Sequence, residues 1–239
     1  YPGYPGLNLT YEVLEGIDKH RTDYDNSGSK LFKSRFPTLE AQLVNLADEI
    51  AYNTHDLDDG IKSNLLKIDM LKGLEICAPI YKMFEGAKPE ILRYQIVREL
   101  INKFSTDLIL RTTENIRELG IKSVENARKA SIAAVSFSKK LAEEKNELKA
   151  FLFANLYKHY RVVRMESKHQ RILEELFKVY LDRFEHNPGK KKYSILPREI
   201  WEKAKDESKE QVVCDHIASM TDRYALEEHK KLFEASEKV

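Results

Sequence analysis

Apolar residues recur along the chain at three- and four-residue intervals, and no stretch of useful length alternates apolar with polar. That period sets one side of a segment toward a core and the other toward water, as an amphipathic helix does. The pattern predicts a helix over residues 8–20, capped by Asn8 or Thr10, with Leu9, Val13, Leu14 and Ile17 at helical spacing. Residues 22–35, "TDYDNSGSKLFKSR", read as a polar loop. Pro37-Thr38 opens a helix running to about Asp59, with Leu39, Leu43, Leu46, Ile50 and Leu57 as its core stripe and Gly60 at the C-cap position.

A further helix is expected over 61–75 and a break at "GAKPE", 86–90, with Pro89 in the first turn of the next helix. That helix, long and spanning 89–118, sets Ile91, Ile96, Leu100, Ile101, Phe104, Leu108 and Ile109 on one side. Residues 119–130 read as a connector, 139–165 and 167–186 as two long helices, and "HNPGKKKYSILP", 186–197, as a loop. Two helices, 197–209 and about 210–237, complete an all-α chain. No internal repeat and no long linker is visible, so a single layered core is expected.

Composition sharpens this picture little. Glycine (9) and proline (7) are scarce in 239 residues, consistent with long ordered segments. The net charge of +1 gives no overall pull toward nucleic acid or an anionic membrane. Cys77 and Cys214 both fall in apolar helical patterns and read as reduced, buried thiols of a cytosolic protein. No apolar run reaches the length of a membrane span, and "YPGYPGLNLT" has neither the basic nor the apolar part of a signal peptide. The opening without Met, in turn-like sequence, reads as an internal start.

The densest chemistry lies in "LADEIAYNTHDLDD", 46–59. Asp48, Tyr52 and Asp56 stand at successive fourth positions and share one helix face, drifting only about 80° in all. Ala47 and Ala51 beside them are small enough to admit a second helix, which would set the trio against packed structure. A carboxylate held there needs a cation or a donor. The same spacing is also met by a solvated acidic face. His55-Asp56 is a poor metal pair, because adjacent helical side chains diverge by ~100°, and none of the seven histidines has the H-E-x-x-H spacing of a zinc helix. Walker, G-x-G-x-x-G, G-x-S-x-G and cysteine-nucleophile motifs are absent. "KHYRVVRMESKHQR", 158–171, and "GKKKY", 189–193, are basic, but solvated surfaces account for them more simply than phosphate contacts.

Four stretches together resemble one family: "PGLNLTYEVLEGIDKH" (5–20), "LEAQLVNLADEIAYNTHDLDDG" (39–60), "LKAFLFANLYKHYRV" (148–162) and "CDHIASMTDRYALEEHKKLF" (214–233). They look like the C-terminal two-thirds of a dGTPase-type deoxynucleoside triphosphate triphosphohydrolase of the HD superfamily. The resemblance implies an all-α HD-like domain with a C-terminal helical extension: residues 1–85 as the remainder of the catalytic core, 86–239 as the helical C-terminal region. It implies that Asp48 binds a divalent metal such as Mg²⁺ or Mn²⁺, that Tyr52 and Asp56 hold the deoxyribose, and that Tyr157 is a second aromatic near sugar and base. Lys149 matches a cation facing the triphosphate. His55, ~20° from Asp48 in helical phase, matches no ligand and is expected at most to support one. The family's catalytic histidines and H…HD ligands precede the matched blocks, so no catalytic residue is assigned in this chain.

The implied reaction releases deoxynucleoside and intact triphosphate, in a cytoplasmic homo-oligomer with no membrane or nucleic-acid partner. A non-catalytic helical subunit of the same family, binding nucleotide or a homologous subunit, is the competing reading. An H…HD pattern upstream of Tyr1 in the gene would separate the two.

Overall fold

The computed structural model describes residues 3–4, 6–20, 31–186, 195–204 and 206–237. Residues 21–30, most of the expected 186–197 loop and the whole of "GKKKY" lie outside the described set. The described residues are mostly helical and contain no strand, so the all-α expectation holds. The helices are α1 (Tyr11–Asp18), α2 (Leu39–Lys62), α3 (Ala78–Met83), α4 (Pro89–Glu118), α5 (Val124–Lys129), α6 (Lys139–Leu152), α7 (Tyr160–His186), α8 (Arg198–Lys203), α9 (Lys209–Ala218) and α10 (Asp222–Phe233). A 3₁₀ segment, Ile68–Gly73, and a π turn, Phe153–Tyr157, complete them.

Serine and threonine set many of the starts. Thr10, Thr38, Ser123, Ser138, Ser208 and Thr221 each accept a bond from a first-turn backbone N–H, satisfying one of the donors a helix start leaves open. Thr221 accounts for one departure from the expected layout. It caps α10, so the single helix expected over 210–237 is two.

Gly60 accounts for another. It lies inside α2 and does not end it. The helix ends at Ser63, and Asn64 takes the left-handed conformation (φ 58°) expected of Gly60. The helix expected over 61–75 is therefore the end of α2 followed by the 3₁₀ segment. The 119–130 connector contains α5, and the break expected near residue 166 falls at 158–159.

The chain divides into two compact units, residues 1–159 and 160–239, in place of the single core expected. The pattern hides the boundary because a turn of only two residues separates the π turn from α7. In the first unit Leu57 of α2, Ile96, Leu100 and Phe104 of α4, and Leu148 and Leu152 of α6 are buried together. Burying side chains of this size is worth about 1.5–3 kcal/mol each. Ile91, Ile101 and Ile109, placed on the same side by spacing, are exposed, so the buried stripe of α4 is narrower than the apolar one.

Residues 130–138 are pinned by buried polar groups. Gln42 accepts from the Ala134 and Val135 N–H groups at 3.0 and 3.3 Å, and Asn115 donates to the Ala134 carbonyl at 2.9 Å. Unit two packs Leu176, Tyr180 and Phe184 of α7 against Val212, Val213 and Ala225. The Phe184 and Trp201 rings lie 4.2 Å apart. Cys77 is buried, and burial pushes its thiol up to about 12. Cys214 is exposed, contrary to its apolar setting in sequence.

Candidate functional site

The candidate site lies along α2 and the α6–π segment packed beside it. Ile50, Thr54 and Leu57 bury one side of α2, and Thr54 returns its hydroxyl to the Ile50 carbonyl at 2.8 Å. The flanking side carries Glu49, Tyr52 and Asp56, which the helical repeat brings to one edge. Tyr52 and Tyr157 stack, with ring centroids 6.2 Å apart and planes 24° from parallel. The Tyr157 hydroxyl donates to Asp56 Oδ2. Burial, then the bond to Asp56, raises the Tyr157 hydroxyl far above its ordinary pKa. It therefore stays a neutral donor at physiological pH, and Asp56 is an acceptor that already holds a hydroxyl.

A second cluster sits one turn nearer the start of α2. Glu49 Oε1 pairs with Lys145 Nζ at 2.7 Å and with Lys149 Nζ at 3.9 Å. Burial lowers the Lys149 ammonium below its usual range. Two ammonium groups meet this one carboxylate. The residue counts on the two sides differ: seven from Glu49 to Asp56 on α2, eight from Lys149 to Tyr157 opposite. The π turn at Phe153–Tyr157 takes up the extra residue. Such wide turns often mark functional places in helices.

Of the residues singled out from sequence, Tyr52, Asp56 and Tyr157 come together in direct contact. Lys149 meets Glu49, the neighbour of Asp48. Asp48 and His55 are both exposed. They share a phase, but seven residues put about 10 Å of helical rise between them, so His55 does not bond to Asp48 directly. Ala47 and Ala51 are exposed as well, so no second helix among the described residues covers this face.

No group of three or more His, Cys, Asp or Glu among the described residues is placed to hold a metal ion. Glu49, Lys145 and Asn53 were not singled out by sequence reasoning. Asn53 is fully buried with neither amide atom hydrogen-bonded among the described residues. A polar residue in phase with the edge of the core stripe is its only sequence signal. The Glu49–Lys145 pair spans 96 positions and has none.

A family profile described as a phosphohydrolase-associated domain matches residues 135–231. It takes in Lys149 and Tyr157 but stops short of α2. The whole chain aligns with a deoxyguanosinetriphosphate triphosphohydrolase-like protein of Geobacter metallireducens, 43% identical over 246 residues. A protein of the same description from Geobacter sulfurreducens is 41% identical, again over the whole chain. One from Ralstonia pickettii is 38% identical over 98% of it. The chain belongs to the deoxyguanosinetriphosphate triphosphohydrolase-like family. It spans 62% of the length of the two Geobacter relatives and 60% of the Ralstonia one. Membership in this triphosphohydrolase-like family makes the chain part of a hydrolase lineage. No helix among the described residues is long and apolar enough to cross a membrane.

Proposed function

We propose that the chain forms the sugar- and phosphate-facing part of a metal-dependent deoxynucleoside triphosphate triphosphohydrolase. The observation that carries the reading is the Asp56 carboxylate, flanked by two stacked tyrosines and already accepting a hydroxyl. A deoxyribose 3′-hydroxyl can take the place of the phenol on Asp56, while Tyr52 packs the C2′ side and leaves no room for a 2′-hydroxyl. Tyr157, freed from Asp56, lies beside the sugar and base. Lys149, with Lys145 behind it, offers positive charge for the triphosphate. Glu49 keeps both side chains in place.

Asp48, one position before Glu49, is the proposed metal ligand. One carboxylate does not fit an ion by itself, since bound divalent metals ordinarily take several protein donors. The remaining donors are assigned to polypeptide beyond this chain, and no step is derived through the metal. In this reading the protein works on dGTP-like substrates as a cytoplasmic homo-oligomer. The second reading, a non-catalytic nucleotide-binding subunit, is favoured by one observation: the described residues contain no group of three metal-type donors.

The two readings separate in one assay. The 239-residue chain and the full-length product of its gene are each incubated with Mg²⁺ or Mn²⁺ and the four deoxynucleoside triphosphates, and triphosphate release is measured. The hydrolase reading expects release from the full-length product, lost in its Asp48→Ala variant, and none from the 239 residues alone. Nucleotide binding without release by the full-length product would overturn it in favour of the subunit.

A further inference from the structure

Asn53 occupies a place where an apolar side chain would serve α2 better. Its neighbours Ile50 and Leu57 are core residues, and Asn53 itself is 1% exposed. Asparagine is also a poor helix former. Among the described residues Gln95 and Asn115 each have one buried amide atom without a hydrogen bond, whereas Asn53 has both, Oδ1 and Nδ2. A buried polar group without a partner is costly, so its presence calls for a reason. The reason lies one turn along the helix. Asp56 stands at i+3 from Asn53, a spacing that sets Cβ atoms about 5–6 Å apart. Asn53 is turned ~60° from Asp56 toward the buried side of α2. Asp56 holds the Tyr157 hydroxyl, and burial and that bond keep the phenol protonated. The phenol is therefore a donor in every state of the site and needs an acceptor in each. A deoxyribose 3′-hydroxyl that takes Asp56 deprives it of the one it has.

We propose that the Tyr157 hydroxyl has two seats: Asp56 in the free protein, and Asn53 Oδ1 once a sugar hydroxyl occupies Asp56. The two groups are complementary, one a donor that loses its acceptor and the other an acceptor that has no donor. Asn53 is then a positioning residue. It touches no substrate and acts through Tyr157, whose ring it holds beside the sugar. The unpaired amide raises the free state, and filling it favours the bound one. A nucleotide without a 3′-hydroxyl leaves the phenol on Asp56 and the amide unfilled, so the second seat adds to discrimination for that hydroxyl. The inference rests on the sugar-site reading of Asp56 and adds to it the fate of the displaced phenol.

Two measurements test it. In the 239-residue chain, Asn53→Leu and Asn53→Met each replace the amide with an apolar side chain, and the urea midpoint is expected to rise because no buried polar atom is left unpaired. A rise in neither variant would show the amide already satisfied in the free protein and overturn the proposal. In the full-length gene product, kcat/KM is measured for dGTP and for its 3′-deoxy analogue. The better-folded variant is expected to lose about tenfold on dGTP, the cost of a hydroxyl left without an acceptor, and little on the analogue. In a Tyr157→Phe background, which has no hydroxyl to reseat, the same variant is expected to lose nothing further. No loss on dGTP, equal losses on both nucleotides, or a loss that persists in the Tyr157→Phe background would overturn the second seat and leave the hydrolase reading in place. Absence of triphosphate release from the wild-type product would remove that reading and this proposal with it.

Discussion

Replacing Gly60 with alanine tests how α2 is joined to the site. Gly60 lies inside the helix, four residues after Asp56. In an open helix interior alanine would gain about 1 kcal/mol over glycine. Here a Cβ would stand 2.6 Å from Leu66 Cδ1, 3.0 Å from Leu66 Cγ and 3.2 Å from Leu156 Cδ1. Leu66 and Leu156 are both core residues. Neither can swing into water, and Leu66 is also tied through its N–H to the Gly60 carbonyl at 2.9 Å. Overpacking of this kind costs about 1–3 kcal/mol. The clash involves three atoms, so it offsets or outweighs the propensity gain and leaves a net loss of up to about 2 kcal/mol.

The assay is urea unfolding followed by circular dichroism, with Leu66→Ala and the double variant completing a cycle. Leu66→Ala alone is expected to cost about 2–5 kcal/mol, and the double variant about 1–3 kcal/mol less than the sum of the singles, because the cavity accepts the new methyl. A Gly60→Ala protein more stable than wild type, or simple additivity in the cycle, would refute the argument.

Three further outcomes are expected of the same structure. Asp56→Ala in the full-length gene product is expected to lower kcat/KM for deoxynucleotides about ten- to a hundredfold, the loss of a charge-assisted bond. A 3′-deoxy analogue should be little affected, and equal losses on both would remove Asp56 from the sugar site. Arg128→Ala is expected to destabilise the first unit by about 3–5 kcal/mol, because it leaves Glu15 charged and buried, and an unchanged urea midpoint would contradict this. His216 packs edge-on against Tyr180 at 5.4 Å, and burial lowers its pKa below 6.5, with Glu228 opposing. Its unfolded state therefore binds more protons near pH 6, so stability is full above pH 6.5 and falls as the pH drops below it. Urea unfolding read by Trp201, which packs in the same core, should show a pH dependence that shrinks in His216→Asn.

What the sequence discloses is local. Period and composition are enough for an all-helical chain, and Thr38 and Ser138 stand where α2 and α6 begin. Asp48, Tyr52 and Asp56 can be placed on one helix because α-helical phase is a property of spacing alone. Phase does not say what faces a stripe. The spacing of Val13, Leu14 and Ile17 reads as a buried face, yet the distant Arg128 draws Glu15 inward and turns that face out. Gly60 carries the mark of a helix end, but close packing of Leu66 demands the same residue in mid-helix. Tyr157 is assigned by resemblance. Its bond to Asp56 and the Glu49–Lys145 pair join residues about a hundred positions apart, and no local pattern signals them.

The π turn makes the site depend on a count. Seven steps on α2 are matched by eight on the opposing segment, like the two scales of a vernier that agree only at chosen marks. Deleting one residue, for instance Asn155, would close the wide turn into an ordinary one. Tyr157 would then swing by ~100° about the helix axis and leave Asp56 without its phenol. Lys145 and Lys149, upstream of the turn, would stay on Glu49. The hydroxyl-holding end of the site is thus separable from its cationic end by a single step in chain length, with no side chain altered.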